Sequence, residues 1–167
     1  MKAATGLLAI ALALALQTTL DRFLPGGAGG VDLVLVAVVY AALTSGPVGG
    51  MVAGSVAGLI QDSLGTGVIG VGGLAKSIVG FFTGVFGQQF ILTAALPRLA
   101  MFLAATLVHA GVFMGMYLAL DRSFGATWTG VLAQALANAL VGMVAFAVIE
   151  SVPSVLERRR MTRRGRH

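Results

Sequence analysis

Three side chains in this sequence could move a proton or hold an ion from within or beside an apolar segment: Asp62, Lys76 and His109. An ionised carboxylate close to hydrocarbon costs about 2.5–3.5 kcal/mol even on lenient insertion scales, so Asp62 needs a partner or water. Lys76 follows 14 residues later, beyond the Gly-rich stretch 65–73. Two arrangements would satisfy Asp62: an ion pair with Lys76, or acceptance of backbone N–H groups in that connecting stretch. Either would hold the connection in shape. A proton relay or transport role would instead need a chain of titratable groups through the membrane, and these three residues do not form an obvious one. His109 has no second His, no Cys and no nearby carboxylate in sequence, which favours a hydrogen-bonded interior histidine over a metal ligand.

Two motifs imitate nucleotide sites. Gly65-Thr66-Gly67-Val68-Ile69-Gly70 fits the dinucleotide pattern, but it follows an apolar helix rather than a strand, and no acidic residue lies about 20 positions on. The run from Gly70 to Ala75-Lys76-Ser77 mimics a phosphate loop with Ala where a second Gly is required. The chain has no cysteine, so disulfide and thiolate-metal chemistry are excluded. No Ser–His–Asp set, paired carboxylates or metal-ligand spacing stands out. The expectation is a protein without cofactor, metal or catalytic residues.

The elements that would carry these residues are membrane helices. Of 167 residues, 57% are hydrophobic and 10% charged, against about 25% charged in an ordinary soluble domain. That balance excludes a soluble globule and a disordered chain. Six apolar segments are expected, at 3–20, 31–43, 47–60, 74–86, 99–120 and 131–149, giving an all-α polytopic membrane protein of about six transmembrane helices. The second and third are short, and Gly46-Pro47 between them suggests a tight helical hairpin; a single kinked helix is the alternative and would leave five crossings. Lys2 and the apolar run after it also resemble a secretory signal peptide, although further spans follow.

Residues 1–157 read as one membrane domain and 158–167 as a basic tail. The tail arginines Arg158, Arg159, Arg160, Arg163, Arg164 and Arg166 follow the last apolar segment, where each gains about 1 kcal/mol beside anionic headgroups. A membrane-surface role is expected there, not nucleic-acid binding. With both termini cytoplasmic, Lys2, Arg98 and the tail lie inside, and only Arg22, Lys76 and Arg122 outside, as the positive-inside rule requires. Asp21-Arg22 and Asp121-Arg122 read as solvated charges at helix ends. Gln134 and Asn138, four apart, share a face suited to interhelical hydrogen bonds.

Glycine spacing is the other departure from plain apolar sequence. Gly46, Gly50, Gly54 and Gly58 recur every four residues and form a ridge of bare backbone; Gly80 and Gly84 repeat the spacing, as do Gly111 and Gly115. In lipid, such ridges allow close helix–helix approach. The spacing leaves open whether the partner is a helix of this chain or another protein.

The run VDLVLVAVVY at 31–40, a short helix through Gly46-Pro47, then GSVAGLIQDSLG at 54–65 followed by Ile69-Gly70, resembles the MreD family of bacterial rod shape-determining membrane proteins. The specific likeness covers 31–84, with Gly58, Asp62 and Gly70 on the family signature; Asp32 departs from it, standing where Pro or a neutral polar residue is expected. The resemblance implies a non-enzymatic protein of the bacterial inner membrane. It would sit beside a single-pass MreC-like protein within the elongation complex of MreB filaments and peptidoglycan synthases. It also implies a fold similar to the substrate-binding subunits of energy-coupling-factor transporters. A substrate-binding subunit of a vitamin or metal importer is the competing reading, and the few small polar residues expected on the external side speak against it.

Overall fold

The computed structural model describes residues 2–23, 30–65, 67–89, 94–122, 125 and 127–164. All its elements are helices: α1 (Lys2–Phe23), α2 (Leu33–Leu64), α3 (Val71–Gln89), α4 (Ala95–Ala119) and α5 (Trp128–Arg164). Four contain stretches long and apolar enough to cross a membrane: Gly6–Phe23, Leu33–Leu64, Ala95–Ala119 and Trp128–Ile149. The expected six separate helices become five elements because the second and third apolar segments both belong to α2.

α2 is not straight. Gly46 adopts φ 81° and ψ −173°, open to glycine and strained for other residues, and Pro47 follows where a new helical limb needs no N–H donor. The Thr44 hydroxyl donates to the carbonyls of Tyr40 and Ala41, and Ser45 donates to that of Ala41, side-chain bonding that favours bending. The bend is a fold-back. A Cβ built on Gly50 would lie 2.5 Å from the Ala42 Cβ, whereas eight residues of straight helix span about 12 Å. Ala57 likewise shares a core cluster with Val34, Ala37 and Val38. Limb 33–45 therefore lies against limb 47–64, and both ends of α2 sit at the same end of the bundle.

α2 is the centre of the molecule and touches every other helix, whereas among the described residues α1 touches only α2. Ile10 and Ala13 of α1 pack on Val34, Ala37, Val38, Ala41 and Ala57. On the other side, Leu35, Val36 and Val39 join Val79 of α3, Phe102 and Ala105 of α4 and Ala139 of α5. The outward positions are large and apolar, among them Leu7, Leu8, Leu12, Leu132, Leu136 and Leu140. In water these would destabilise the bundle; in hydrocarbon they cost nothing.

Candidate functional site

The sequence signature is a single piece of architecture at the α2–α3 junction. Asp62, in the last turn of α2, turns its Oδ2 onto the start of α3 and accepts from the N–H groups of Gly70 (2.8 Å), Gly72 (2.9 Å) and Gly73 (3.2 Å). These amides have no intrahelical acceptor, and a carboxylate complements the positive end of the helix dipole. Gly70 holds φ +100°, which swings the chain from the loop into α3. Gly58 lies one turn before Asp62; a Cβ there would meet the Gly72 carbonyl and the Gly73 Cα at 2.6 Å. Gly58 permits the approach, Gly70 the turn, and Asp62 fastens the result.

Of the two arrangements open to Asp62, the backbone one is present. The ion pair with Lys76 is not: Lys76 Nζ lies 2.8 Å from Asp32 Oδ2, with both side chains almost fully buried. The reason is direction. Asp62 is drawn onto the exposed amides that begin α3, while Lys76, one turn deeper, points inward from α3 toward the start of α2.

The glycine ridge is filled from within the chain. Positions that would collide with an added Cβ pair off antiparallel along α2 and α3: Gly50 with Gly80, Gly54 with the backbone of Lys76 and Ser77, Gly58 with Gly72 and Gly73, and Gly84 with Gly46 and Pro47 at 2.5 Å. Gly50, Gly54, Gly58, Gly80 and Gly84 are buried. A Ser55–Ser77 hydroxyl pair at 2.6 Å crosses the same seam. Of the two partners that the spacing left open for this ridge, a helix of this chain lies against it; Gly46 itself faces the Gln88 side chain.

The buried polar centre is one the sequence reading did not assemble. Asp32 caps α2, its Oδ1 accepting from Leu35 N–H at 2.9 Å while Oδ2 holds Lys76. Its own N–H donates to Asn138 Oδ1 of α5 (2.8 Å), and Asn138 Nδ2 donates to Thr106 Oγ1 of α4 (3.1 Å). His109 Nε2 lies 3.4 Å from Lys76 Nζ. From α1, Gln17 Oε1 accepts from Leu33 N–H at 2.9 Å and its Nε2 donates to Val31 O at 3.3 Å. Gln17, Asp32, Lys76, Thr106, His109 and Asn138 are all buried, so the four other helices converge on the first turn of α2. His109 is an interior histidine and Asn138 an interhelical hydrogen-bonder, as their settings suggested. Asp32 carried a readable signal, an Asp directly before an apolar run, which is a helix start. Gln17 and Thr106 carried none.

At the opposite end, the Arg98 guanidinium stacks 4.3 Å over the Phe146 ring, which meets Tyr40 edge-on at 5.3 Å. Among the other small-residue positions, Gly111 and Gly115 of α4 are exposed, and none of the described residues lies within 4 Å of a Cβ built on either. The tail side chains from Arg158 to Arg166 lie outside the described residues.

Such an arrangement is suited to holding shape. Its charges are spent on one another and on helix ends, Asp32 and Lys76 deep inside the bundle and Asp62 half-buried at the start of α3. No curated protein and no solved structure matched the chain. The family model for rod shape-determining protein MreD matches residues 4–149, a range that contains the folded-back α2, the α2–α3 junction and the buried polar centre. The chain belongs to the MreD family of rod shape-determining membrane proteins.

Proposed function

We propose that this protein is a non-enzymatic scaffold of the cell-elongation complex in the bacterial inner membrane, docking an MreC-like single-pass partner and, through it, MreB filaments and peptidoglycan synthases. The observation that carries this reading, beyond family membership in rod-shape determination, is the contrast between a glycine ridge filled by α3 and a small-residue face on α4 with no neighbour among the described residues. The ridge at Gly46–Gly58 is closed by α3, so α4 is the proposed docking helix, supported by Gly111 and Gly115, which would let a second backbone come close. The fold-back of α2, with α3 antiparallel to its second limb, supports six passages: one each from α1, α3, α4 and α5 and two from α2. Six passages together with the positive-inside count support cytoplasmic termini, with the basic tail on anionic headgroups.

The test is photo-crosslinking in membranes from a label placed at Val108, beside the open face. Capture of a single-pass protein that depends on Gly111 and Gly115 supports docking. Capture of an ATPase-coupled transporter subunit would reverse the assignment in favour of an importer.

A further inference from the structure

α3 differs from the helices around it. It carries five glycines, a lysine in its second turn and two glutamines at its end, and it is absent from the stretches apolar enough to cross a membrane unaided. Glycine is a poor helix former, and an uncompensated lysine in a span opposes insertion. Yet no helix pair in the bundle is more intimately packed than α2 and α3, with backbone on backbone along the whole seam.

We propose that α3 enters the bilayer as a passenger of α2, with Asp32 serving as the intramembrane counter-ion that makes Lys76 insertable. The inference rests on the six-passage reading above. α2 supplies everything α3 lacks. Its first residue outside the helix, Asp32, neutralises Lys76 at 2.8 Å; its glycine ridge accepts the α3 backbone; Ser55 pairs with Ser77; and Asp62 caps the first turn. All these groups precede α3 in the chain, so they are available when α3 leaves the ribosome. His109, on the following helix, arrives later and closes over the ion pair. Asp32 thereby acquires a reason to be charged at a position where the family resemblance leads one to expect a neutral residue.

The native chain has no cysteine, which permits single-cysteine mapping without background. Ser63→Cys and Gln89→Cys mark the two ends of the loop-plus-α3 unit, and both positions are exposed. A membrane-impermeant maleimide should label them from opposite faces, one in right-side-out vesicles and the other in inverted ones. In an Asp32→Asn background, which keeps an oxygen for the Leu35 cap but removes the charge, the share of Gln89→Cys labelled on the Ser63 side should rise about tenfold, the weight of an uncompensated lysine off the centre of a span. Adding Lys76→Met to Asp32→Asn should restore the original sidedness, and Lys76→Met alone should keep it. Labelling of both cysteines from one face in the otherwise unaltered chain would overturn the six-passage reading and the inference with it. Opposite faces with no response to Asp32→Asn, or a double variant that stays scrambled, would overturn the inference alone.

Discussion

The α2–α3 seam and the outer face of α4 carry the same sequence motif, glycines four residues apart, and they have opposite fates. At the seam Gly50, Gly54, Gly58, Gly80 and Gly84 each face backbone: a Cβ on Gly58 would sit 2.6 Å from the Gly72 carbonyl, and one on Gly84 would sit 2.5 Å from Gly46 and Pro47. On α4, a Cβ on Gly111 or Gly115 would enter open space. A GxxxG spacing therefore reports the capacity for close approach and says nothing about who approaches. The seam is also fastened by charge, Asp62 on the amides of α3 and Asp32 on Lys76. Gly111 and Gly115 stand clear of such links.

The sharpest way to break this comparison is to fill one glycine on each side. Gly54→Leu must push α3 away from α2, because even a Cβ there would overlap the Lys76 carbonyl and the Ser77 amide. Overpacking of side chains costs about 1–3 kcal/mol, and a clash with backbone on both sides exceeds that. The expected result is loss of folded protein from detergent extracts, read by size exclusion and thermal unfolding. A Gly54→Leu variant of near-native stability would show that the seam is not the close contact described here.

Asp62→Ala ranks next. It strips three buried-end amides of a charged acceptor, and hydrogen bonds to charged groups contribute about 1.5–3 kcal/mol each when removed singly. Loop relaxation and water access make the net loss about 3 kcal/mol. Asp62→Asn keeps a carbonyl oxygen and should recover about half of it. Thermal unfolding in detergent separates the two; equal losses would mean that Asp62 acts through a charge partner rather than through the amides.

That ranking also shows what sequence reasoning reaches. Asp62 was readable as a cap because its partners follow it within 11 residues, and Gly46-Pro47 was readable as a fold-back because local chain chemistry decides a turn. The Asp32–Lys76 pair joins residues far apart in the chain, and each end pointed elsewhere: Asp32 read as a departure from the family signature, Lys76 as a partner for Asp62. Sequence proximity favoured the wrong carboxylate, and only the direction of side chains leaving α3 decides between them. Asn138 showed its face but not its partners, because Thr106 and the Asp32 N–H belong to other helices. Whether a glycine ridge faces inward is likewise a property of the packed bundle, and it set the seam apart from α4.

Gly70→Ala tests the turn rather than the fastening. At φ +100° an L side chain is strained by about 1–2 kcal/mol, although nothing lies within 4 Å of its Cβ. The loss should therefore appear as strain alone. A double variant with Asp62→Ala should be less damaging than the sum of the two, because both act on the same junction.

The smallest expected effect on stability is the most informative about function. Gly111→Leu and Gly115→Leu add apolar volume to a lipid-facing helix surface with no neighbour, so each should leave thermal unfolding unchanged within about 0.5 kcal/mol, the range for surface changes away from special features. If α4 receives a partner helix, the same substitutions should weaken recovery of that partner by about tenfold, since helix–helix contacts in lipid are worth roughly 1–2 kcal/mol and a factor of ten is about 1.4 kcal/mol. The two readouts divide cleanly. Loss of stability would mean that the α4 face is covered by this chain itself. Unchanged stability with unchanged partner recovery would move the docking surface to another helix. Only stable protein with lost recovery makes α4 the counterpart of the α2–α3 seam: the same spacing of small residues, turned outward and completed by a second chain.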